Sequence, residues 1–417
     1  MKKQFILAVL GFSALSILAQ TECKIKGKVI DRPESKKLYL QPLLSDPRTT
    51  DKITIPIINN EFEYTFQTKN PEAYEFIFED ELNKGYFHSV RFITEDGTVN
   101  FELYPAEEYS RNIIKGSELN SEYQKIKKQS DSLFCMKDLS DQEETLYKNN
   151  ELYSDLYTQW INALRTTDDQ NKLDSLYKVR DSFTNETQYS DKGIALANQV
   201  SAIRKQQNNW ILNEINKHSS EATLTLLYEK IYSSIQYSDQ HIDQNKCFEI
   251  FNSKFQKEFA QNNMTKKINI MIAASQLKKG GKYIDVTATD LNGKKVLLSD
   301  HIKGKVALID LWASWCGPCI RKTKTFIPIL EKYKDKGFTI VGIAREQKNT
   351  DAMLHAIDKH QFNWTNLVEL NDNGKIWLKY GIDNGAGAVF LVDKEGTIIA
   401  TNFDAHELEN HLKDLLD

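Results

Sequence analysis

A basic surplus, a cysteine framework and repeated long apolar runs are all missing from this chain, and each absence removes a class of function. Its 54 lysines and arginines against 58 aspartates and glutamates leave a formal charge of -4. Phosphate backbones are bound through a clear Lys/Arg excess, so no nucleic-acid partner is expected. Five cysteines in 417 residues do not make a disulfide-stapled scaffold, because Cys23, Cys135 and Cys247 lie more than a hundred residues apart with no framework spacing. A hydrophobic content of 40% beside 27% charge excludes a polytopic membrane protein. Proline is absent from Ser117 to Lys279 and again after Pro328. The first gap admits long helices; the second runs to the end of the chain.

What is present begins with "MKKQFILAVLGFSALSILAQ". Two lysines, an apolar run from Phe5 to Leu18 and a small residue at Ala19 read as a secretory signal peptide over residues 1–20, too short for a spanning helix. Glu22 occupies the place where a lipidation signal at Cys23 would need a small residue, so export without a lipid anchor is expected. A bridge between Cys135 and Cys247 stays open.

Three patterns follow. Residues 21–116 alternate with period two, as in Phe62, Tyr64, Phe66 and Tyr74, Phe76, Phe78, punctuated by Asn59-Asn60 and Asp96-Gly97. They predict a small antiparallel β domain, a sandwich or barrel. Residues 117–279 switch to helical spacing, with Leu152, Leu156, Trp160 and Ala163 on one stripe and Leu224, Leu227, Tyr228, Ile231 and Ile235 on another; they carry no catalytic motif. Residues 280–417, set off by Gly280-Gly281, alternate strands such as "KVALIDLW" with helices such as "FIPILEKYKDK", which implies an α/β layer. The fold class expected is therefore multidomain α+β.

The chemistry sits in "DLWASWCGPCIRK". A cysteine at a helix start meets unpaired N–H groups and the positive end of the macrodipole, which stabilise a thiolate at Cys316. Pro318 suits the first turn, where its missing N–H costs nothing, and Cys319, one turn on, can resolve a mixed disulfide. Lowering a thiol pKa from about 8.5 to about 7 raises its thiolate fraction roughly 15-fold while nucleophilicity falls about five-fold, so most of the benefit must come from the second cysteine and from docking. Asp310, inside an apolar run, is expected to be buried, to hold its proton at raised pH and to exchange it with the resolving thiol. Arg321, Lys322 and Lys324 add positive charge beside Cys316. Zinc is disfavoured, since His301, His355, His360, His406 and His411 show no knuckle spacing near the cysteines. A peroxidatic cysteine is disfavoured too, because Ala313 stands where a Thr or Ser would.

The C-terminal region resembles the thioredoxin fold of TlpA-like thiol:disulfide oxidoreductases, on "DLNGKKVLLSDHIKGKVALIDLWASWCGPC", "YKDKGFTIVGIA" and "FLVDKEGTIIA". The two upstream regions resemble, less specifically, segments that precede such domains in exported chains of Gram-negative bacteria. The resemblance implies disulfide reduction or exchange in the periplasm, no cofactor, and protein thiols or disulfides plus an unidentified redox partner. A membrane surface and a homodimer stay open as partners. It gives Cys316 the attacking role, Cys319 the resolving role and Asp310 that of the buried acid. It places Trp315, Pro318, Gly387 and Ala388 where the partner docks.

Lys322 replaces the acidic residue usual three positions after the second cysteine, and Lys324 replaces a helix proline. The larger departure is the loop "NGAGAVFLVD". Such folds place a cis-proline there, at Ala386 or Gly387 in this sequence; for any other residue a cis bond costs about 2.5 to 4 kcal/mol, so a trans, glycine-flexible loop is expected. Two other readings follow from that loss: a non-catalytic envelope binding protein on a thioredoxin scaffold, or a metal-handling dithiol.

Overall fold

The computed structural model describes residues 21–45, 50–180, 182–383, 385 and 387–417; the signal peptide read over residues 1–20 lies outside them. The chain divides into two compact units. One holds the N-terminal strands and ends at Asn120; the other holds Ser121–Asp417.

In the first unit eight strands, β1 (Thr21–Val29), β2 (Lys37–Pro42), β3 (Ile53–Pro56), β4 (Glu61–Thr68), β5 (Ala73–Phe78), β6 (Val90–Ile93), β7 (Gly97–Leu103) and β8 (Ile113–Lys115), form two four-stranded sheets, ordered β4-β1-β7-β8 and β3-β2-β5-β6. All pairs are antiparallel except β1 with β7. Alternate residues of both sheets fill one core, where Phe76 lies 5.5 Å from Phe62 and 5.0 Å from Phe92. Asn59 and Asn60 take φ of 51° and 63°, the left-handed conformation that asparagine tolerates in a tight hairpin. Cys23 is buried in this core.

The helical stretch of the second unit is less regular than its sequence stripes suggest. Ser154 accepts from Tyr157 N at 3.1 Å and starts the helix Asp155–Thr166, so Leu152 precedes the helix and Leu156 is 58% exposed. A serine N-cap splits the first stripe. The second stripe holds: Leu224, Leu227, Tyr228 and Ile231 are buried on the helix Glu221–Gln236, opened by a capping box of Ser220 and Thr223. Cys135 and Cys247 are free thiols, one exposed and one buried, so the bridge between them does not form. Burial pushes the Cys247 thiol up to about 12.

The C-terminal sheet has seven strands, β9 (Thr287–Asp290), β10 (Lys295–Leu297), β11 (Val306–Trp312), β12 (Phe338–Glu346), β13 (Thr365–Leu370), β14 (Ala388–Val392) and β15 (Ile398–Thr401), in the order β10-β9-β13-β12-β11-β14-β15. β11, β12 and β13 are parallel; β14 runs antiparallel to β11. Every residue of β11 is buried, as a central strand covered on both faces requires. Ala307, Ile309 and Leu311 join one core with Val341, Trp377 and Phe390, while Val306 and Leu308 join another with Phe326, Tyr333 and Leu412. Period two then turns Asp310 toward the second face, the one covered by the helix Gly317–Lys324. The expected fold class, β sheets followed by helices and a thioredoxin-like α/β domain, is borne out.

Candidate active site

The carboxyl ends of parallel strands are where open α/β sheets carry their ligands, and the dithiol stands at the end of β11. Cys316 is the N-cap of the helix Gly317–Lys324, with Pro318 in its first turn. Its Sγ accepts from Cys319 N at 3.2 Å, and the two sulfurs are joined in a disulfide with Cα atoms 5.3 Å apart. The same N–H would meet a thiolate after reduction. Exposure does not choose the attacker, since Cys316 keeps only 5% of its surface while Cys319 is half-buried; the anion-stabilising cap position favours Cys316.

Asp310 is buried below the pair and accepts from Thr323 Oγ1 at 2.8 Å. Burial raises its pKa from an ordinary 3.8 to about 6, against the opposing pull of the Thr323 hydrogen bond and the Lys322 charge. Lys322 is in turn held below its ordinary value, chiefly by desolvation, with Asp310 opposing. Arg321 and Lys324 are exposed.

One cleft of about 470 Å³ collects these groups. It is lined by Asp310, Trp315, Cys316, Pro318, Cys319, Lys322, Gly387 and Ala388, and also by Asn402. Trp315, 46% exposed, offers its indole to solvent beside the sulfurs. Ala388 opens β14 opposite Leu311 and is buried. All seven residues singled out from the sequence thus face one space.

Gly387 shows why no larger residue stands at its position. A Cβ there would lie 2.2 Å from the Leu311 carbonyl oxygen and 3.2 Å from Cys319 Sγ, so the loop backbone passes directly over the end of β11 and beside Cys319. Ala386 lies outside the described residues, and no described peptide bond is cis. Gly387→Ala is expected to destabilise the oxidised protein by roughly 1–3 kcal/mol, because the clash is with backbone that cannot rotate away. Urea unfolding checks this; an alanine variant as stable as the parent would show that the loop has room to spare.

Two groups at the end of β12 were not picked out from sequence. Glu346, 4% exposed, accepts from both Ser314 N and Ser314 Oγ at 2.8 Å and so fixes the turn that delivers Cys316. Arg345, 3% exposed, reaches the opposite loop. The available signal was a charged Arg-Glu pair ending an apolar parallel strand, next to the strand that carries the dithiol. Among the described residues, no three His, Cys, Asp or Glu side chains converge on a metal position.

A redoxin family model matches residues 278–416. The thiol-disulfide oxidoreductase ResA of Bacillus thuringiensis subsp. konkukian is 30% identical over 141 residues, 33% of this chain and 79% of that protein. The chain belongs to the thiol-disulfide oxidoreductase family. Within the family, the thiol:disulfide interchange protein DsbE of Pseudomonas fluorescens is 32% identical over 108 residues, 26% of this chain and 57% of that protein. A solved thioredoxin domain of a thiol-disulfide oxidoreductase from Bacteroides vulgatus is 30% identical, covers 34% of this chain and 99% of its own, and superposes with a TM-score of 0.32. The family resemblance read from the sequence is borne out, and with it a thioredoxin-like oxidoreductase activity. Residues 23–123 match a domain of unknown function, DUF4369.

Proposed function

We propose that this protein is an exported thiol:disulfide oxidoreductase that reduces or exchanges protein disulfides in the periplasm through Cys316 and Cys319. The observation that carries the reading is the Cys319 N–H aimed at Cys316 Sγ at a helix N-cap, with a buried carboxyl of raised pKa lining the same cleft. In the reduced protein the Cys316 thiolate attacks one sulfur of a partner disulfide. The partner's S–S bond breaks, its first thiolate leaves and takes a proton, and a mixed disulfide forms. Asp310 in its ionised form accepts the proton of Cys319, whose sulfur then attacks Cys316 Sγ and expels the second partner thiolate. Two electrons have passed to the partner and the Cys316–Cys319 disulfide has formed.

Trp315 and Gly387 flank the sulfurs and would receive the partner's chain. In this reading residues 280–417 are the catalytic domain, while residues 21–116 and 117–279 select or present partners. Export is supported by Lys2 and Lys3 ahead of the Phe5–Leu18 apolar run; among the described residues no helix is long and apolar enough to cross a membrane.

Equilibrating the mature protein in thiol/disulfide buffers, trapping free thiols and locating them by mass spectrometry tests the proposal. A single two-electron transition at Cys316 and Cys319 between about -120 and -300 mV, the range of known exchange proteins, is expected. A pair that never closes, or closes only after metal is stripped, would overturn it.

A further inference from the structure

The loop that ends at Gly387 is anchored by residues far from it in sequence. Inside the α/β domain, Arg345 donates through Nε and Nη2 to Asp372 Oδ1 and Oδ2 at 2.7 and 2.6 Å, and through Nη1 to the Asp383 carbonyl at 2.8 Å. Its guanidinium lies 5.6 Å from the Trp377 ring centroid. The Trp377 carbonyl in turn accepts from Ile382 N at 3.0 Å and Asp383 N at 3.2 Å. From the helical stretch, the last turns of the helix Glu221–Gln236 reach Gly381 and Asp383 of this loop. Gln236 Nε2 donates to the Gly381 carbonyl at 3.3 Å, and the Tyr232 hydroxyl hydrogen-bonds the Asp383 carboxylate. Gly381, at φ +72°, takes a conformation that favours glycine and lies beside the helix Asn263–Ala274, where a Cβ on Gly381 would make ordinary contact with the Ala274 methyl at 3.6 Å.

These contacts bear on the missing proline. Gly385 and Gly387 have wide conformational freedom, and no proline ring fixes φ at either position. A partner chain that docks on this backbone must find it already ordered, or ordering it is charged against binding. Asp383, four residues before Gly387, is held through its carbonyl by a bidentate-paired Arg345 from the sheet and through its carboxylate by Tyr232 from the helical stretch.

Resting on the oxidoreductase reading, we infer that Tyr232, Gln236 and Arg345 are positioning residues that hold the partner-docking loop in place of a proline, so that the helical stretch tunes reaction with protein disulfides and not with small thiols. A small thiol meets only the exposed edge of the sulfurs and needs no ordered loop. A peptide chain lies along the loop and does.

Tyr232→Phe removes one hydroxyl and keeps the ring, whose fully buried packing preserves the fold. In the full mature chain the variant is expected to speed amide hydrogen exchange at Gly385 and Gly387 about ten-fold, the usual size for a lost hydrogen bond to a charged acceptor. KM for insulin disulfides is expected to rise by a similar factor with kcat held. The rate at which dithiothreitol opens Cys316–Cys319 and the midpoint potential of the pair are expected to match the parent. Gln236→Ala is expected to act in the same direction. Unchanged exchange and KM in both variants would overturn the inference, as would a Tyr232→Phe protein whose dithiothreitol reaction slows as much as its insulin reaction. If the parent opens with dithiothreitol and never reduces insulin, the functional reading fails; the exchange measurement then still decides whether these side chains hold the loop.

Discussion

Cys316→Ser is expected to abolish disulfide exchange, and Cys319→Ser to keep the first half of the reaction and stop there. The contrast follows from the cap. Serine is among the preferred N-cap residues, and its Oγ can accept from Cys319 N as Cys316 Sγ does. The helix Gly317–Lys324 is therefore retained in Cys316→Ser, and loss of activity reports the lost thiolate and not a lost structure. A hydroxyl at neutral pH supplies essentially no anion, so turnover should fall to background, a loss of roughly 10³-fold or more. In Cys319→Ser the nucleophile and its anion site are intact. What goes is the intramolecular thiol, whose effective concentration for well-placed groups reaches about 10⁵ M or higher. External thiol at millimolar concentration cannot replace it, and the partner stays attached through Cys316. Mass spectrometry of the trapped complex after digestion checks the site. A Cys316→Ser protein that still reduces insulin would sink the dithiol mechanism, whereas one that traps the partner through Cys319 would reverse the assignment of attacker and resolver.

The dithiol was legible because its chemistry is local. Cys316, Pro318 and Cys319 lie within one turn, so spacing alone sets them on one helix start. Asp310 was legible for a related reason: period two on an all-apolar strand puts an acid either in the core or at a kink, and here it faces the dithiol helix. Gly387 and Ala388 came from resemblance, since nothing in "NGAGAV" announces how close that backbone passes to Leu311. Glu346 and Arg345 act on Ser314 and Asp383 across the sheet, and such long-range pairs leave no periodic trace. The stripe of Leu152 to Ala163 misled because hydrophobic spacing cannot see a cap. Ser154 begins the helix inside the stripe and leaves Leu156 facing solvent.

Asp310→Asn is expected to make the protein more stable, by a margin that opens above about pH 4 and is complete above about pH 6, and to make the enzyme slower above about pH 6. Burial raises the folded-state pKa from 3.8 to about 6, so between those values the folded chain holds a proton that the unfolded chain has released. Stability therefore falls as pH rises from about 4 through 6 and levels off above it. At about 1.4 kcal/mol for each tenfold change in proton affinity, the ionised carboxylate costs the folded state about 3 kcal/mol at pH 7.5. Asparagine removes that cost and can still accept from Thr323. Urea unfolding should then show the variant ahead by up to about 3 kcal/mol at pH 7.5 and level with the parent near pH 4. The kinetic arm runs the other way. Resolution by Cys319 in the parent should accelerate as Asp310 ionises, with an inflection near its pKa of about 6, while the variant should lose the inflection and about 10²-fold in rate on the alkaline side. A variant that is less stable at pH 7.5 would mean that the carboxylate is solvated or paired well enough to favour its charged form. The proton acceptor for Cys319 would then have to be sought elsewhere in the cleft, with Lys322, already held below its ordinary value by burial, as the next group to test.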